Sequence, residues 1–187
     1  MNTNNRVTPH GSELVDLRVD EARARLLKEI ALNLPDITLN ERQMCDLELL
    51  AIGAFSPLKG FMTRSDYESV LDRMRLQDGV LWPIPICMDV DELKARRLEA
   101  GQSVALRDPE GYLLAVMHIE DIWPIERDKE ARLVYGTLDK SHPGTDYLYS
   151  SAGDYYIGGN LEVLSPPLHS DFKQLRLTPA EIRSNFK

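Results

Sequence analysis

Apolar residues recur at helical spacing along the first third of the chain. After Asp20, residues Ala22, Leu26, Leu27, Ile30 and Ala31 fall on one helical face, and Pro35 ends the run. Ile37-Thr38-Leu39 is a short extended piece. Asn40 can accept from the free amides of a first turn, and Met44, Leu47, Leu50 and Ala51 continue from it as an apolar stripe. Gly53 can take the left-handed conformation that closes such a helix. The loop Ala54–Met62 carries Phe55, Leu58, Phe61 and Met62, which predicts that it packs down on the domain. Ser65 and Glu68 have capping-box spacing and predict a third helix with Tyr67, Val70, Leu71 and Met74 on one side.

The pattern changes beyond the Asp78-Gly79 turn. Leu81–Met88 is rich in strand formers, but Pro83 and Pro85 each remove a ladder donor, which predicts an edge strand. Asp91 to Arg97 reads as a helical turn closed near Gly101. Ser103–Leu106, the turn Asp108-Pro109-Glu110-Gly111 and Tyr112–Ile119 form the clearest hairpin, ended by Trp123-Pro124. Lys129–Tyr135 reads as a short helix with Gly136 at its end, and the segments around Tyr147 and from Tyr155 to Leu164 read as extended. Thr178-Pro179-Ala180-Glu181 combines a cap, proline at the first helical position and glutamate at the third. A helix starting so near Lys187 is too short to stand alone: either it packs back on the domain or the sequence stops inside a larger protein, and the second is the expectation. The resulting division is an irregular arm at 1–18, one α+β domain with a helical amino-terminal part at 19–170, and a linker with a helix start at 171–187.

With 43% apolar and 28% charged residues, the composition is that of an ordinary globular protein that needs neither disulfides nor metal for its core. A net charge of −8 argues against a general nucleic-acid binder, because phosphate neutralisation needs clustered Lys and Arg. No apolar run approaches the roughly 20 residues of a membrane span, and the polar start MNTNNRVTPHG lacks a signal-peptide core. The expected setting is cytoplasmic. Cys45 and Cys87 read as buried free thiols.

Candidate chemistry is sparse. His142-Pro143-Gly144 could hold a titrating histidine, but with no base or nucleophile nearby it reads as a rigid turn. Gly158-Gly159 precedes strand-like residues, which suggests a β-bulge and not a phosphate cradle. Tyr147, Tyr149, Tyr155 and Tyr156 could stack on bases, but acidic neighbours favour sheet packing. Asp89, Asp91 and Glu92 lack the loop of alternating ligands that a hard cation needs and read as a solvated corner. Lys173, Arg176 and Arg183 are basic residues near the carboxyl end, and surface ion pairs are the simpler account of them.

The runs CDLELLAIGAFSPLKGFM (Cys45–Met62), MRLQDGVLWPIPICMDV (Met74–Val90), GTLDKSHPG (Gly136–Gly144) and DFKQLRLTPAEIR (Asp171–Arg183), with Pro9-His10-Gly11 near the start, resemble the amino-terminal domain of the ATP sulfurylase (sulfate adenylyltransferase) family. The resemblance implies a PUA-like β-barrel decorated with helices, placed before a catalytic domain that joins ATP and sulfate into adenylyl sulfate and diphosphate. That domain's Q-x-R-N-P and H-x-x-H segments do not occur in these residues. On this reading the chain is a non-catalytic part of an enzyme, with no catalytic, substrate or metal residue of its own. ATP (with Mg) and sulfate belong to the parent. The implied partners are the catalytic domain of the same polypeptide and further copies in a homo-oligomer, with His169, Arg176 and Arg183 as interdomain contacts. The alternatives are a free-standing PUA-like RNA-binding module and a parent that also carries an adenylyl sulfate kinase domain.

Overall fold

The computed structural model describes residues 7–167, 169 and 171–186, without the side chain of Lys173. Two compact units emerge, one of Met1–Gly60, Ser103–Met117 and Leu161–Lys187, the other of Phe61–Gln102 and His118–Asn160. Among the described residues six strands, β1 (Asp36–Thr38), β2 (Gly60–Phe61), β3 (Met88–Val90), β4 (Ser103–Arg107), β5 (Leu113–Pro124) and β6 (Tyr155–Val163), follow the order β1-β4-β5-β6-β2, with β3 also on β6. The β1–β4 pair is parallel and the β3–β6 pair antiparallel, so the sheet is mixed. Among the described residues its path ends at β1 and β2, so the expected closed barrel is an open sheet. The α+β class stands, because seven α-helices accompany these strands among the described residues.

In the first unit α1 (Glu21–Ala31) starts at Asp20, whose carboxylate accepts from the Arg23 amide. Only Leu27 and Ala31 of its apolar stripe are buried, and Leu26 and Ile30 remain exposed. Helix α2 (Glu41–Ala51) has the Asn40 cap, completed by the Gln43 side chain accepting from the Asn40 amide, and Gly53 follows it at φ 81°. Leu47, Leu50 and Ala51 of α2 are buried, as are Ile37, Leu106, Val116 and Val163. As the loop's composition predicts, Ser56 and Leu58 are buried, and the Ser56 hydroxyl accepts from the Val15 amide while donating to the Gly53 carbonyl.

Three expectations change in the second unit. Helix α3 (Arg64–Arg73) is capped by Thr63, not Ser65, because Thr63 holds the extended conformation and accepts from the Asp66 amide. Ser65 lies inside the first turn and Met74 is exposed, ending α3 at φ 53°. The expected edge strand shrinks to β3, since Pro83 and Pro85 leave 81–87 irregular apart from a bridge between Leu81 and Arg75. Tyr147 belongs to a helix, α6 (Pro143–Ser150), because Pro143 occupies a position where no amide is needed and His142 Nδ1 accepts from the Gly144 amide. The short helices α4 (Glu92–Ala95) and α5 (Arg127–Glu130) fall where helical turns are expected, the latter continuing as a π-turn over Ala131–Tyr135 to Gly136.

Candidate functional site

The chemistry-bearing side chains of the second unit gather around two buried carboxylates. Glu130, the last residue of α5, is buried, and the Tyr67 hydroxyl of α3 donates to its Oε2 at 2.8 Å. The Tyr156 hydroxyl of β6 lies 3.1 Å from both oxygens. Trp123 closes the group, its rings 5.6 Å from Tyr67 and 5.8 Å from Tyr156 by centroid. Burial, and then the Glu130 charge, pushes both phenols well above the usual tyrosine range. At neutral pH they are therefore donors and not bases, and the group works as a clasp between α3, α5 and β6.

Asp89 is the second centre. It is buried and accepts from the Gly153 amide at 2.8 Å and the Tyr147 hydroxyl at 3.4 Å, so it is not part of a solvated corner. Asp91 caps α4 by accepting from the Lys94 amide, and Glu92 pairs with Arg96. Arg127 closes the far end of α6, donating to the carbonyls of Leu148, Ala152 and Gly153. The Tyr149 hydroxyl donates to Asp128. Tyr67 and Tyr156 thus point their hydroxyls at buried Glu130, and Tyr147 and Tyr149 point theirs at Asp89 and Asp128, acidic pairings that do not make the basic, base-stacking face a phosphate-bearing strand needs. His142 caps α6 and its ring lies 5.0 Å from that of Tyr135, a structural role beyond the rigid turn expected of it. Gly158 and Gly159 lie within β6, where a Cβ would meet the carbonyl oxygens of Met62 and His118. Their smallness serves close backbone approach.

His169, Arg176 and Arg183 each have a partner within the first unit. His169 Nε2 lies 2.8 Å from Glu48 of α2, Arg176 donates to Asp171 at 3.2 Å, and Arg183 donates to the Val7 carbonyl. Lys173 lies in a 3-10 turn, Lys173–Leu175. A groove of about 560 Å³ in the same unit is lined by Lys28, Leu32, Arg107, Tyr112 and Ser165 together with Asp108 and Glu110, and Arg107 there is paired with Asp36 at 2.6 Å. Cys45 is exposed, contrary to expectation, because it lies on the face of α2 opposite Leu47 and Leu50; Cys87 is buried, and neither cysteine forms a disulfide. Among the described residues no group of three or more His, Cys, Asp or Glu side chains could hold a metal ion, and no helix is long and apolar enough to cross a membrane. Sequence reasoning missed Glu130 and underrated Asp89, since nothing local marks a carboxylate whose partners lie 26 to 64 residues away.

These features define an α+β domain with an open mixed sheet, in which the buried polar side chains tie elements together. Residues 7–166 match the PUA-like domain family, and the chain belongs to it. It is 44% identical over 182 residues to the sulfate adenylyltransferase of Mycosarcoma maydis, a match covering 95% of this chain and 32% of the relative. It is 43% identical over 177 residues to that of Schizosaccharomyces pombe, covering 93% of this chain and 36% of the relative. Among solved structures it resembles a hexameric APS kinase from Thiobacillus denitrificans, with a TM-score of 0.75 and 34% identity over 95% of this chain and 31% of that one. The likeness carried by the four quoted runs therefore extends over nearly the whole chain. The chain spans about a third of the length of the curated relatives it matches.

Proposed function

We propose that the chain is the PUA-like domain of a sulfate adenylyltransferase, a non-catalytic part that buttresses the catalytic domain of the same polypeptide. The observation that carries this reading is the identity of 44% with a named sulfate adenylyltransferase over 95% of the chain. In the whole enzyme ATP, with Mg, and sulfate would give adenylyl sulfate and diphosphate. Catalysis there would be positioning and charge stabilisation of an in-line displacement at the α-phosphate. Residues 19–170 make the body of the domain, behind an arm at 1–18, and 171–187 lead to the catalytic part, with His169, Arg176 and Arg183 at the junction. The enzyme is cytoplasmic and a homo-oligomer. A net charge of −8 and the pairing of tyrosines with carboxylates speak against the RNA-binding alternative.

Diphosphate release from ATP and sulfate, measured with this chain and with the longer polypeptide, tests the reading. Turnover is expected only from the longer polypeptide, and comparable turnover by the 187 residues alone overturns it. A second reading, that the parent also phosphorylates adenylyl sulfate, is favoured by the name of the similar solved structure. It predicts ATP-dependent consumption of adenylyl sulfate by the same polypeptide.

A further inference from the structure

We infer that residues 172–186 form the face on which the rest of the longer polypeptide docks, and that this contact is made by apolar burial and not by ion pairs. The inference rests on the reading above, that such a polypeptide exists. Phe172, Leu175, Leu177, Ile182 and Phe186 are 64, 72, 43, 41 and 61% exposed. Single apolar residues are normal on a surface, but a concentration of large ones marks a contact site. Helix α7 (Pro179–Asn185) has a complete capping box and proline in its first turn, yet buries none of its residues. Caps start a helix but do not sustain seven residues of it, and packing of one face normally does that. Ile182 and Phe186 are four apart and so share a side of α7, and Phe172 and Leu175 are joined by a backbone bond across the 3-10 turn. Phe172 holds φ 47°, a conformation bulky side chains rarely adopt.

Several polar groups in and beside the segment are already engaged. Arg176 is held by Asp171, Arg183 by the Val7 carbonyl, and Glu181 by the amide and hydroxyl of Thr178, while His169 just before the segment faces Glu48. The large side chains that the segment leaves exposed to a partner are apolar ones. The occupant follows from length: relatives matched over nearly all of this chain are about three times as long, which leaves roughly two thirds of such a polypeptide to supply the covering face. A tethered domain has an effective concentration of order millimolar, which a second copy in solution does not reach.

Hydrogen exchange of the amides of 178–186, compared between this chain and the longer polypeptide, tests the inference. Exchange is expected to be at least about 10-fold slower in the longer polypeptide. It is expected to be unchanged between roughly 0.1 and 1 M salt, where ionic contacts would be screened. In the longer polypeptide Ile182→Ser and Phe186→Ser each remove the protection, whereas Leu93→Ser, an exposed apolar residue outside the segment, leaves it in place. Equal exchange in the two proteins, or protection lost in high salt, overturns the inference. Protection in the short chain that grows with its concentration would place a second copy on this face and overturns it too. Assaying diphosphate release on the same sample separates the two claims. A protected but inactive polypeptide keeps the docking face and removes the sulfate adenylyltransferase reading, and an active polypeptide with unprotected amides does the reverse.

Discussion

The Tyr67 hydroxyl donates to the Glu130 carboxylate at 2.8 Å inside the second unit, where both residues are buried. A hydrogen bond to a charged group contributes about 1.5–3 kcal/mol, and removing the donor leaves a buried carboxylate short of a partner. Tyr67→Phe is therefore expected to lower unfolding free energy by about 2 kcal/mol in urea titrations. Tyr156→Phe should act in the same direction. Because both phenols serve one carboxylate, the double variant should deviate from the sum of the singles. A loss below about 0.5 kcal/mol for Tyr67→Phe would show that the bond is not maintained in solution.

The same pair sets an alkaline limit. The folded state holds both phenols protonated well above their ordinary value of 10.0, through burial and the Glu130 charge. Their contribution is fully present below the unfolded value, and it is lost as pH rises beyond 10.0, where only the unfolded chain ionises freely. Stability followed against pH should fall steeply above 10.0, and less steeply in Tyr67→Phe. Equal slopes for the two proteins would remove Tyr67 as the cause.

Gly158 tests the close approach of backbones in β6. A Cβ there would run into the Met62 carbonyl and the Thr63 Cα, neither of which can swing aside as a side-chain tip can. Gly158→Ala should cost about 3 kcal/mol or more, at the upper end of overpacking effects. Gly144→Ala, whose Cβ would lie 2.6 Å from the movable ring of Tyr135, should cost less. Thermal midpoints in the reverse order would show that the strand, not the ring, gives way.

Legibility followed the range of the interactions. Helix α2 could be read because Asn40, the apolar stripe and Gly53 are all local signals, and local hydrogen bonds satisfied them. The hairpin of β4 and β5 was readable for the same reason. Helix α6 was not, because His142-Pro143-Gly144 is as good a turn as a helix start, and only tertiary packing of Thr145 and Leu148 decides. The spacing from Ser65 to Glu68 predicts Ser65 as the cap of α3, but Thr63, just after buried Phe61 and Met62, has the extended backbone and accepts from the Asp66 amide. Whether the sheet closes depends on which strands meet at its ends, and no periodicity carries that. Glu130 shows the limit most plainly: its sequence neighbours Lys129 and Ala131 carry no hint of two phenols arriving from α3 and β6.

Two capping boxes of different chemistry give the last prediction. Around α2 the reciprocal partners are Asn40 and Gln43, neither of which titrates. Around α7 they are Thr178 and Glu181, whose carboxylate accepts from the Thr178 amide at 2.7 Å and hydroxyl at 2.8 Å. Those bonds, the amide first, hold the Glu181 carboxyl below its ordinary 4.5. A depressed folded value means the stabilisation is present above 4.5 and lost as pH falls through the lower folded value. Between about pH 6 and about pH 3, amide protection in 179–185, taken relative to the intrinsic exchange rate at each pH, should fall before that in 41–51, and Glu181→Gln should remove the difference. Simultaneous loss of protection in both helices would mean that global acid unfolding, not the Glu181 proton, opens α7.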